Sequence, residues 1–134
     1  MIQLRTMLNV ADNSGAKRLM WTESDNQLAW QWYLNGADPG EAVPARRSDL
    51  SGLPPAWIGV GTLDLYLQEC LDYGRRLREA GVPVHEEIVP GAFHAFDRVV
   101  ENAPVSRSFF ASQRDHLWAA LSSPPPSDAG RRSA

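Results

Sequence analysis

One cysteine, Cys70, stands among 134 residues, so the chain can form no internal disulfide and offers no thiolate cluster for a metal. Lysine is nearly absent as well. A single Lys accompanies twelve Arg, and the formal net charge of −3 provides none of the basic surface that a general nucleic-acid binder needs. No apolar run approaches the roughly 20 residues of a membrane span. The first apolar stretch is interrupted by Arg5 and followed by Asn9, which makes a poor signal peptide and leads us to expect a cytoplasmic protein. What is present is a globular composition, 43% hydrophobic and 22% charged, at a length that fits one domain with a buried core.

Hydrophobic spacing suggests the elements. Ile2, Leu4 and Leu8 alternate as in a short strand over residues 2–8, and Asp12-Asn13-Ser14-Gly15 marks a turn. A helix is expected over about 22–35, with a capping box on Ser24 and Gln27 and a stop at Gly36. Residues 37–56 hold Pro39, Pro44, Pro54 and Pro55, read as a surface connection in which Arg46-Arg47 is a solvated or locally paired spot. Trp57-Ile58-Gly59-Val60-Gly61 has the continuous apolar character of a strand buried on both faces. A helix over about 67–80 carries a stripe of Leu67, Cys70, Leu71, Gly74 and Leu77, and residues 82–89, from Val82 to Val89, form the next strand. Residues 92–97 read as a loop. A last helix over about 106–121 has Phe109, Phe110, Gln113, Leu117 and Leu121 at helical spacing. The ordered part is expected to end at Leu121, with 122–134 a disordered tail. Strand, helix and strand between residues 57 and 89 make one βαβ unit, so the expected class is α/β with parallel strands.

Two residues follow the carboxyl ends of those strands, where open parallel sheets gather ligand sites: Asp64 after the first and His94 after the second. A carboxylate that accepts from an imidazole Nδ1–H fixes the tautomer and leaves the other nitrogen free to take a proton. The plainer alternative is that Asp64 is a helix cap and His94 a half-buried loop anchor. Cys70 lies on the apolar stripe and reads as a small hydrophobe. His85 and His116 fall on polar positions and read as solvated. Glu86-Glu87 has no partner at metal-ligand spacing, so no metal is expected.

Four segments together resemble the carboxyl-terminal part of the hormone-sensitive-lipase-like esterases, a branch of the α/β-hydrolases. They are Asp49-Leu50-Ser51-Gly52-Leu53-Pro54-Pro55-Ala56, Gly61-Thr62-Leu63-Asp64-Leu65, Ala80-Gly81-Val82-Pro83 and Pro90-Gly91-Ala92-Phe93-His94-Ala95-Phe96-Asp97. Their order and spacing carry the likeness, which in weaker form extends from the first strand to about Leu121. The resemblance implies about three mainly parallel strands with flanking helices, from the carboxyl-terminal portion of the hydrolase fold. It also implies a carboxylic ester hydrolase in which Asp64 is the triad acid and His94 the triad base, with no dissociable cofactor and a small-molecule ester as substrate. Trp30, Trp32 and Tyr33 read as core packing, with an acyl-pocket wall as the alternative. In the family the last strand is a common dimer contact, which implies a homodimer through residues 82–89.

The family pattern is not complete in these residues. A Gly-x-Ser-x-Gly elbow exposes the family's nucleophile, and no such motif occurs here. Ser14 follows Asp12-Asn13, and Ser51 sits in a proline-flanked loop. No His-Gly-Gly oxyanion motif is present, and Arg5-Thr6 stands where the family usually has Tyr-Pro. The expectation is therefore a chain that supplies the Asp and His of a Ser-His-Asp triad without the serine. The alternative is an inactive remnant or a self-associating module.

Overall fold

The computed structural model describes residues 21–122. The strand expected at 2–8, the turn after it and residues 123–134 of the expected tail lie outside the described residues. Two parallel strands, β1 (Ala56–Gly61) and β2 (Val84–Val89), pair in register from Ala56↔Val84 to Gly61↔Val89. Helix α1 (Glu23–Leu34) leads to a short α2 (Pro39–Ala42) and a 3₁₀ turn at Pro44–Arg46. Helix α3 (Leu67–Glu79) joins the strands, and α4 (Phe96–Val99) and α5 (Pro104–Ser122) follow β2.

Helix α1 starts two residues earlier than its expected box. Thr22 has extended backbone and accepts from the Asp25 amide at 3.3 Å, while Asp25 Oδ2 accepts from the Thr22 amide at 3.0 Å. Ser24 lies inside the first turn, so it cannot be the cap, and the ionised Asp25 is the better acceptor at the positive helix end. Hydrogen bonds from the Thr22 side chain, then its backbone, hold the Asp25 carboxyl below its ordinary value. At the other end Asn35 itself takes the left-handed conformation, with φ 41°.

Residues 37–56 are more than a surface connection. Val43, Ala45 and Leu50 are buried, Val43 and Ala45 against Trp30 and Leu50 against Leu77 and Val82. The prolines exclude long regular structure, yet Pro39 and Pro44 each open a short helical turn, where a missing N–H costs nothing. The Arg76 guanidinium donates to the carbonyls of Ala45 and Arg47 and so ties this segment to α3. Arg47 is exposed, whereas Arg46 is half-buried.

Strand β2 begins at Val84 rather than Val82. Pro83 has no N–H for the ladder, though its carbonyl accepts from Ala56 at 2.9 Å. Val82 instead packs with Leu50 and Leu77. Gly74 lets α3 approach β2, since a Cβ there would lie 2.0 Å from Glu86 Oε1. On the other face of β1, Phe109 meets Trp57 and Phe96 with ring centroids 5.1 and 4.9 Å apart. The expected apolar stripe of the last helix does not form a core face. Phe109 is buried, but Phe110, Leu117 and Leu121 are exposed, as is every α5 residue from Arg114 onward. Helical periodicity identified the helix and could not say how much of its length the neighbouring strands would cover.

Leu77 is 2% exposed in the cluster that joins α3, β2 and the proline-rich segment. Leu77→Ala is expected to lower stability by about 2–5 kcal/mol, read as a fall in the urea midpoint followed by far-UV circular dichroism.

Candidate active site

At the carboxyl ends of the strands the backbone pairing continues into the turns. Thr62 N donates to Val89 O at 3.0 Å and Leu63 N to Ala92 O at 3.0 Å, while Gly91 N donates to the Thr62 hydroxyl at 2.8 Å. The turns approach so closely that a Cβ on Gly61 would stand 2.1 Å from the Ala92 carbonyl oxygen. Gly91, at φ 71°, turns the chain immediately after Pro90. These contacts carry Asp64 and His94 on two turns that cannot move independently.

His94 Nδ1 lies 3.0 Å from Asp64 Oδ2, with the two side chains 17% and 3% exposed. An ionised carboxylate only accepts, so Nδ1 carries the proton and Nε2 of the neutral ring keeps its lone pair. The other carboxylate oxygen, Oδ1, accepts from the Tyr66 amide at 2.9 Å. Asp64 therefore fits both readings of the sequence: it holds the backbone that enters α3 and also faces the imidazole. Immediately after His94, Ala95 adopts φ 59° and starts α4.

The pair has neighbours that motif reading did not single out. The Trp21 and Tyr66 rings each stand 5.6 Å from the His94 ring, tilted by 31° and 62°. The Tyr66 hydroxyl donates to Asn26 Oδ1 at 2.8 Å, and Asn26 is 2% exposed. Trp21 Nε1 is buried without a partner among the described residues. The signal available in the sequence was slight. Asn26 stands four residues before Trp30, on the buried side of α1, and Tyr66 two residues after Asp64. A cleft of about 140 Å³ opens beside His94, walled by Gly59, Gly61, Phe93, Phe109 and Gln113.

The remaining candidates are spread elsewhere. Burial first, then the charges of Asp64, Glu69 and Glu86, push the Cys70 thiol up to about 12, which suits a small packed side chain rather than a nucleophile. His85 and His116 are exposed but stack on each other at 4.0 Å, with His116 Nδ1 donating to Ser112 O. Glu86 pairs with Arg78 at 2.9 Å. Trp30 is core, whereas Trp32 and Tyr33 are 74% and 59% exposed, so neither packs inside as expected. Among the described residues no group of three or more His, Cys, Asp or Glu could hold a metal ion, and no helix is long and apolar enough to cross a membrane.

A family model described as alpha/beta hydrolase fold matches residues 3–98. The chain belongs to that family. This α/β-hydrolase is 39% identical to the structure of esterase LipW from Mycobacterium marinum, with a TM-score of 0.70 over 75% of this chain and 32% of that one. It is 32% identical to a bacterial heroin esterase structure, again with a TM-score of 0.70, over 77% of this chain and 35% of the other. It is 33% identical over 70 residues to esterase LipI of Mycobacterium tuberculosis, covering 49% of this chain and 22% of that protein. The chain thus spans about one third or less of the length of these relatives. The expected esterase kinship and α/β fold both stand.

Gly61→Ala should force the two turns apart. A loss of about 1–3 kcal/mol in urea unfolding is expected, together with a changed His94 imidazole resonance. Cys70 should resist Ellman's reagent in the folded protein at pH 8 and react on unfolding. The unfolded thiol titrates near its ordinary 9.0 and the folded one near 12, so the folded state holds the proton longer. This contribution to stability is complete below pH 9 and is lost as pH rises towards 12. Urea midpoints at pH 8 and pH 10.5, compared with Cys70→Ala, check the sign.

Proposed function

We propose that this chain supplies the acid and the base of a Ser-His-Asp triad in a carboxylic ester hydrolase, acting on a small-molecule ester. The nucleophile and oxyanion donors would come from outside these 134 residues. The observation that carries the reading is the 3.0 Å contact between His94 Nδ1 and Asp64 Oδ2, at the ends of adjacent parallel strands. Kinship with esterases supports the substrate class.

In the completed site, His94 Nε2 takes the proton of an attacking serine hydroxyl as its oxygen bonds to the ester carbonyl carbon. The imidazolium then passes that proton to the departing alcohol. Water repeats the sequence on the acyl-enzyme and frees the acid. Asp64 holds the ring in the Nδ1–H tautomer and stabilises the imidazolium. Without the serine there is no covalent route, and each missing oxyanion donor removes a further ~3–4 kcal/mol.

The pure chain is expected to hydrolyse p-nitrophenyl butyrate no faster than buffer. Mixed with a separately produced amino-terminal segment of an esterase of this family, bearing Gly-x-Ser-x-Gly, it should yield activity blocked by a serine-directed phosphonate. In that mixture Asp64→Asn should cost on the order of 10⁴-fold and His94→Ala at least as much. Robust phosphonate-sensitive hydrolysis by the chain alone, or a complemented activity indifferent to His94→Ala, would overturn the proposal.

A second reading, a module that associates through its sheet edge, draws on β2. Among the described residues β2 pairs with β1 alone, and Ile88 on it is 41% exposed. In this reading the chain forms a homodimer through that strand. Size-exclusion chromatography with light scattering should then give twice the 14.8 kDa chain mass. A monomer at high concentration would exclude it.

A further inference from the structure

We propose that Trp21 and Tyr66 are positioning residues, which fix the plane of the His94 imidazole, with Asn26 holding Tyr66 in place. The inference rests on the reading of His94 as the base and goes beyond it by naming what keeps that base aligned. A single hydrogen bond to Asp64 holds one atom, Nδ1, and leaves the ring able to swing about that anchor. Two aromatic rings, each 5.6 Å from the imidazole and inclined to it by 31° and 62°, pack beside it and restrict that swing.

The contacts also close into a circuit. Asp64 Oδ1 accepts from the Tyr66 amide at 2.9 Å, the Tyr66 ring meets the His94 ring edge-on, and His94 Nδ1 returns to Asp64 Oδ2 at 3.0 Å. The bond from its hydroxyl to the buried Asn26 at 2.8 Å pins the far end of the Tyr66 side chain and keeps the ring from swinging away from His94. Among the described residues Trp21 joins none of the hydrophobic clusters, and its buried indole N–H has no partner. An apolar side chain would fill that place without stranding a donor. Among the described residues, the contact that sets the indole apart from such a filler is the one with the His94 ring. A swing of the imidazole about Nδ1 would therefore press on the Trp21 indole or on the Tyr66 ring, which Asn26 of α1 holds.

The experiment is proton NMR of the full chain, following the downfield Nδ1–H resonance of His94 and its exchange with solvent. The wild type should show a protected signal, and Asp64→Asn should abolish it. Trp21→Leu and Tyr66→Leu should each speed its exchange by at least about tenfold, or broaden it beyond detection, while circular dichroism stays unchanged. Tyr66→Phe keeps the ring and loses the bond to Asn26, and should fall between wild type and Tyr66→Leu. A purely structural role would lower the unfolding midpoint and leave the exchange of this proton alone. If Tyr66→Leu does not fold, Tyr66→Phe and Trp21→Leu carry the test. Should Asp64→Asn remove the signal while the folded aromatic variants leave it untouched, this inference fails and the acid–base reading survives. A signal that persists in Asp64→Asn sinks both.

Discussion

Where β1 and β2 end, hydrogen bonding does not stop with them. Thr62 N to Val89 O, Leu63 N to Ala92 O and Gly91 N to Thr62 Oγ1 carry the pairing of the strands on into their turns. Asp64 and His94 are 30 residues apart in sequence, and their 3.0 Å separation is a property of this junction before it is a property of either side chain. Gly61 is required because the Ala92 carbonyl occupies the space that a side chain would need. A helix of thirteen residues, α3, makes the crossover that brings the two turns to the same end of the sheet.

From that junction the site is built by shared use of a few polar atoms. The two oxygens of Asp64 serve different masters, one the backbone at the start of α3 and the other the imidazole. This division keeps the carboxylate from rotating, and a carboxylate that cannot rotate holds its partner in one orientation at little further entropic cost. The link from Tyr66 to Asn26 brings α1 into the same arrangement, although Asn26 lies 40 residues earlier in the chain. Satisfied buried polar groups of this kind rigidify their surroundings.

Packing elsewhere divides by distance from the two strands. Residues near them find partners: Leu77 and Val82 on one face, Phe109 and Trp57 on the other. The second half of α5 leaves Leu117, Trp118 and Leu121 largely exposed, although His116 on it stacks on His85 of β2. The proline-rich segment goes the other way. Its composition suggests a solvent-facing connection, but Val43, Ala45 and Leu50 are drawn under Trp30 and α3, and Arg76 satisfies the carbonyl of the buried Ala45 as well as that of the exposed Arg47.

Periodicity, glycine and proline positions determined by themselves that the chain makes a strand–helix–strand unit, with Asp64 and His94 just beyond the strands. These are local properties, set by side-chain spacing and by backbone angles that residues such as Pro83 and Gly81 impose. Tertiary structure decided what spacing cannot express. It set which side of the Thr22–Gln27 region caps α1, how much of α5 is covered, and that Asn26, Tyr66 and Trp21 gather around one imidazole. Those outcomes depend on contacts between residues far apart in the chain, and such contacts exist only after the backbone has brought the surfaces together.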